Sequence, residues 1–263
     1  MTRVLSGVAM AAAAFALVWW LPSNVLLGVA FVVATLAFFE YARLVRAIGA
    51  ELPFVPALMA TLAACIAGAM PLAFGPVALP AFGLALLAVA VSLMWRGVHG
   101  PPLAHGAAAA MLAPLYIGLP LGALVAIHQV AGREGVLTLV AAVAASDTFQ
   151  FYCGRTFGRR PLALTISPKK TIEGAIGGFV LAPLALVALA QWSLPGVPPL
   201  AAWAVGIGLV LAGIAGDLFE SALKRAAGVK DSADLIPGHG GVLDRIDALL
   251  FCAPLFYLLV WLA

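Results

Sequence analysis

A succession of long apolar runs constrains this chain more than any other feature. The hydrocarbon core of a bilayer takes about 20 apolar residues of helix, within a range of about 17 to 25. Runs of that kind cover 4–21, 25–42, 54–73, 77–95, 104–130, 135–153, 173–192, 200–222 and 246–262. Hydrocarbon offers no hydrogen bonds to a backbone, so such segments must satisfy their own as helices. Charged residues make up 10% of the chain and hydrophobic ones 64%, whereas a soluble domain is about 25% charged. The expectation is an all-α polytopic membrane protein with short loops and about nine transmembrane helices.

Several details refine that frame. Only Pro22-Ser23-Asn24 separates the first two runs, which demands a tight hairpin. The second run is expected to continue as a short cytoplasmic helix over Glu40 to Ile48. Pro114 and Pro120 predict a kink in the fifth. Trp19-Trp20-Leu21-Pro22 stands where a leader cleavage site would be, so the first run reads as a retained span with interfacial tryptophans. With a cytoplasmic N-terminus, every Lys and Arg except Arg133 falls inside, as the positive-inside rule asks. Basic residues scattered over short loops argue against nucleic-acid binding. Cys65, Cys153 and Cys252 lie far apart in apolar surroundings and read as small packing residues rather than a disulfide or metal site. The chain is taken as a single integral membrane domain. Residues 1–131 would supply scaffold and lipid-facing helices, and 132–263 the catalytic helices with two cytoplasmic loops, 154–172 and 223–245.

The charges that remain are concentrated. Asp217 to Asp247 is dense in acids and bases between two apolar runs, and ionisable groups at membrane level are expensive enough to be functional by default. On a helix, Asp217, Glu220, Ser221 and Lys224 form one stripe. That stripe could be polar machinery, or a Glu220–Lys224 pair sealing a helix end. Asp244 and Asp247, three residues apart, could bind a cation or simply cap the last helix. Two carboxylate clusters on two helices suit the hard-oxygen preference of Mg²⁺. Between them, His239-Gly240-Gly241 offers bare backbone N–H groups able to wrap an anion, although His239 could equally be an ordinary loop histidine.

A second constellation lies upstream. Asp147 interrupts an apolar run and needs a partner. Ser167-Pro168-Lys169-Lys170-Thr171 leads into a helix that begins near Glu173 and Gly174. A lysine pair beside a helix N-terminus can hold phosphates. Arg155, Arg159 and Arg160 could do the same, or could serve as membrane-surface charge. Acids for a divalent metal and lysines for phosphates, on helices able to hold a lipid, suggest transfer chemistry on a lipid phosphate with a soluble nucleotide.

Ser221-Ala-Leu-Lys224-Arg225, four residues, Lys230-Asp231, then Pro237-Gly-His239-Gly240-Gly241-Val-Leu-Asp244-Arg245-Ile-Asp247 resembles the signature of the phosphatidate cytidylyltransferases, the CDP-diacylglycerol synthases. Ser167 to Thr171, Glu173-Gly174 and Asp147 before Gly154-Arg155 are also similar to that family. Phe149-Gln150-Phe151 is bulkier than the family pattern. The resemblance implies transfer of cytidylyl from CTP to phosphatidate, giving CDP-diacylglycerol and pyrophosphate for phospholipid synthesis. It implies Mg²⁺ dependence with a monovalent cation such as K⁺ beside it, and it admits a homodimer. The site would face the cytoplasm, in a bacterial inner membrane. By that resemblance Asp217, Asp244, Asp247 and Asp147 are the metal candidates. Lys169, Lys170, Lys224, Arg225 and Asp231 are the catalytic ones. Ser167, Thr171, Glu173, Ser221, Lys230, His239, Gly240, Gly241 and Arg245 would bind substrate. The alternatives are a cytidylyltransferase for another lipid phosphate and, in a different class, an ion-coupled transporter.

Overall fold

The computed structural model describes residues 2–70, 75–233, 235 and 240–261. Those residues form an all-α membrane protein with one small β-hairpin. The order is α1 (Thr2–Trp20), α2 (Ser23–Ala47), α3 (Phe54–Ala69), α4 (Gly75–Trp95), α5 (Pro101–Ala113), a π-helical turn (Pro114–Gly118), α6 (Leu119–Phe157), β1 (Pro161–Ala163), β2 (Ser167–Thr171), α7 (Ile172–Ser193), α8 (Pro199–Ala226) and α9 (Leu243–Trp261). Among the described residues, four helical stretches are long and apolar enough to cross a membrane: Ser23–Ala47, Pro101–Phe157, Ile172–Ser193 and Pro199–Ala226.

Local sequence explains the breaks. Pro22 adopts an extended conformation (φ −71°, ψ 158°) and separates α1 from α2. α2 then runs unbroken through Glu40 to Ala47, so the short helix expected over Glu40 to Ile48 is its last turns. Pro114 cannot donate to the helical ladder, and the chain widens into the π-turn there. Gly132, at φ 68°, interrupts α6 in a conformation that side chains disfavour. The segment 154–172 is more ordered than a loop. It continues α6 to Phe157 and then pairs β1 with β2 antiparallel. Thr171 closes the hairpin and caps α7 by accepting the Gly174 N–H at 3.1 Å.

The contacts gather into two compact units. One comprises Met1–Ala126 and Leu223–Arg245, the other Ile127–Ala222 and Ile246–Ala263. In the first, α3 packs against α2, α4, α5 and the π-turn. Its centre includes Phe38 and Tyr41, both fully buried, and the Tyr41 hydroxyl donates to the Ala109 carbonyl at 2.8 Å. In the second, α7 lies beside the hairpin and the C-terminal half of α6. A Cβ on Gly174 would stand 2.6 Å from the Gln150 carbonyl oxygen, so α6 and α7 approach backbone to backbone there. The Cys252 thiol, on α9, donates to the Leu209 carbonyl of α8 at 3.3 Å.

Candidate active site

The second unit holds a cavity of about 470 Å³. α6 contributes Asp147, Gln150, Phe151, Gly154 and Arg155, and the hairpin contributes Lys169, Lys170 and Thr171. Gly174 comes from the start of α7, Asp217 from α8 and Asp247 from α9. Short hairpin strands are what carry the lysine pair to the helices. Lys170 Nζ forms an ion pair with Asp217 Oδ2. The Ser221 hydroxyl, one turn on, donates to the other Asp217 oxygen at 3.4 Å.

Asp217, Glu220 and Asp247 each offer a carboxylate oxygen, and these oxygens all lie within 4.8 Å of one another. Close approach of α8 and α9 makes this possible: a Cβ on Gly216 would stand 2.6 Å from the Asp247 carbonyl oxygen. Three carboxyl groups this close are an arrangement that could hold a cation, and the Lys170 ammonium already pairs with one of them. All three donors are hard oxygens, and the set fits Mg²⁺ in chemistry. Glu220 is 1% exposed. It was visible in the sequence as a member of the α8 stripe, where a structural pair was the competing reading. Three of the four metal candidates, Asp147, Asp217 and Asp247, thus line one cavity, and Glu220, outside the candidate set, brings a carboxylate oxygen close to those of Asp217 and Asp247.

Asp244 belongs to the first unit, and its carboxylate is fully engaged. Oδ1 accepts from Lys224 Nζ at 2.5 Å. Oδ2 accepts from Ser232 N at 2.9 Å, Ser232 Oγ at 2.7 Å and Gly241 N at 2.8 Å. Its side chain is 4% exposed. Asp244 stands ahead of the last apolar run. Burial pushes its carboxyl upward, but the Lys224 ammonium and the Gly241 and Ser232 donors outweigh that and hold it at about 2. Gly240 sits at φ 81°, a conformation that favours glycine, and a Cβ there would lie 2.8 Å from Asp244 Oδ2 and press on that carboxylate.

The remaining candidates divide. Glu173 accepts from the Arg159 and Arg160 backbone N–H groups at 3.0 and 3.2 Å and from Arg160 Nε at 3.3 Å. It therefore ties the end of α6 to the start of α7. The Arg225 guanidinium donates to the Val229 carbonyl at 3.2 Å. Lys230, Asp231 and Arg245 are exposed in the first unit, and Ser167 is half-buried at the start of β2. His239 lies outside the described residues.

A family model described as "Cytidylyltransferase family" matches residues 1–263. The chain belongs to the cytidylyltransferase family. Among curated relatives, it is 40% identical over 157 residues to a phosphatidate cytidylyltransferase of Helicobacter pylori (strain J99), a match covering 58% of each chain. It is 38% identical over 153 residues to that of Bacillus subtilis (strain 168), covering 57% of this chain and 56% of the relative. It is 45% identical over 131 residues to phosphatidate cytidylyltransferase 5, chloroplastic, of Arabidopsis thaliana, covering 49% of this chain and 32% of the relative. The matches thus span from a third to just over half the length of these relatives.

Proposed function

We propose that this cytidylyltransferase-family chain transfers the cytidylyl group of CTP to phosphatidate, giving CDP-diacylglycerol and pyrophosphate. The observation that carries the reading is the cavity in which Lys169 and Lys170 face Asp147, Asp217 and Asp247. A phosphatidate oxygen would attack the α-phosphorus of CTP. The new P–O bond forms as the bond to the β-phosphate breaks, and pyrophosphate leaves with the electron pair. Phosphatidate is already anionic near neutral pH, with a second pKa of about 6, so no strong base is needed. The difficulty is to bring two anions together and to stabilise the leaving group.

Lys169 and Lys170 would hold phosphate oxygens, with Arg155 in the same cavity lining. Asp217, Glu220 and Asp247 would hold Mg²⁺, with Asp147 beside them. When bound, the ion would neutralise phosphate charge in the approach and on the departing pyrophosphate. Asp244, paired with Lys224, would hold Ser232 and Gly241 in place within the first unit. For Asp244 the four donors support this anchoring role over direct ligation. A monovalent cation and a homodimer belong to the same reading. So do a cytoplasmic N-terminus, the nine-span topology, and a cytoplasm-facing site in a bacterial inner membrane. The distribution of Lys and Arg supports that orientation.

The test is pyrophosphate release by purified protein in phosphatidate–detergent micelles with CTP and Mg²⁺. Release should require both substrates, should fail with ATP and should stop on chelation of the metal. Release with a different lipid phosphate but none with phosphatidate would change the substrate. Silence with every lipid from folded protein would defeat the reading.

A further inference from the structure

Glu40 lies outside both the cavity and the signature, near the end of α2, and is 2% exposed. A carboxyl group that deep in a protein is costly unless its oxygens are supplied with donors. Glu40 takes its donors from a segment about 200 residues away. Oε1 accepts from the Val242 N–H at 2.8 Å, and Oε2 accepts from the Leu243 N–H at 2.8 Å and the Ser232 hydroxyl at 2.8 Å. The same hydroxyl lies 2.7 Å from Asp244 Oδ2. Its single proton serves one carboxylate at a time, while the N–H donors hold the rest. Gly241 has no room for a Cβ against Glu40 and Ser232, so the loop backbone is pressed onto these groups.

We propose that Glu40 is a positioning residue for cytidylyl transfer. It fastens Ser232, Val242 and Leu243, and through Ser232 it reaches the Asp244–Lys224 pair. Its burial leaves it no face for a substrate, so it acts only through the loop. The kinetic part of this inference rests on the function proposed above, whereas the loop-anchoring part does not.

Two readouts on the full chain in lipid–detergent micelles test it. In Glu40→Gln, amide exchange in peptides spanning Val242 and Leu243 should accelerate while exchange in α3 stays as in wild type. The kcat should fall roughly 10- to 100-fold, as for other residues that orient a ligand from behind, with KM for CTP and lipid unchanged. Ser232→Ala, which keeps Glu40, should shift both readouts the same way and tests the loop even if Glu40→Gln does not fold. The double variant should fall no further than the worse single one, because both act through one contact. Wild-type kcat in Glu40→Gln, or a lower kcat with unchanged exchange at Val242 and Leu243, would overturn the proposal. A wild-type protein that makes no CDP-diacylglycerol would defeat the functional reading instead, and the exchange comparison alone would then decide whether Glu40 holds the loop.

Discussion

The two clusters of acids are built on opposite plans. In the first unit, Asp244 and Glu40 are surrounded by N–H and O–H donors at 2.5 to 2.9 Å. In the second, Asp217, Glu220 and Asp247 converge on one another, and Asp217 reaches an open cavity beside Lys170. A carboxylate saturated with donors holds a backbone in place. Carboxyl groups crowded together, with a lysine ammonium on one of them, form a hard-oxygen set of the kind a divalent cation could join. The signature therefore contains two kinds of aspartate that sequence spacing alone cannot tell apart: Asp244 and Asp247 are three residues from each other on one helix, yet one is surrounded by donors and the other by carboxyl groups.

The sharpest way to break this comparison is to neutralise one acid of each kind. Asp217→Asn should reduce turnover by roughly a thousandfold, the scale on which charge-stabilising groups act, while thermal stability stays near wild type. A stable variant with near-normal turnover would remove Asp217 from the site. Asp244→Asn should lower activity too, but with a loss of about 3 kcal/mol in stability, because it strips the buried Lys224 ammonium of a counter-charge. Equal stability in the two variants, read by thermal unfolding in detergent, would erase the distinction. The pH dependence has a definite sign. The folded Asp244 carboxyl sits at about 2, below an unfolded value of about 3.9. Its contribution is thus complete above pH 4 and is lost as pH falls through 2, whereas Asp244→Asn should lack that acid-labile component. The smallest effect concerns the scaffold of the cavity. Gly174→Ala pushes a methyl toward the Gln150 carbonyl and should cost about 1–3 kcal/mol through overpacking. Unchanged stability would mean that α6 and α7 separate without penalty.

Much of this was legible in the sequence, and for physical reasons. The apolar runs and the prolines fix where helices start and stop: Pro22 divides α1 from α2, and Pro114 opens the π-turn. The charged residues pointed to the candidate cavity, because an ion at membrane level is seldom idle. The β-hairpin was not legible. Pro161–Ala163 and Ser167–Thr171 are too short to show alternation, and lysines are poor strand formers. Nor could Glu40 be found. A single acid at the end of an apolar helix carries no signal of the loop amides it will meet, since long-range pairing leaves no local pattern. Glu220 was visible on its stripe, but which neighbour it would join depended on how closely α8 meets α9.

Isotope position distinguishes nucleotidyl transfer to lipid from other uses of CTP. Purified protein would be given phosphatidate and Mg²⁺ with CTP labelled at either the α- or the γ-phosphate, and the organic phase counted. The account predicts that α-label enters the lipid and that γ-label stays in water as pyrophosphate. Label from the γ-position in the lipid, or none from either position with folded protein, would contradict it.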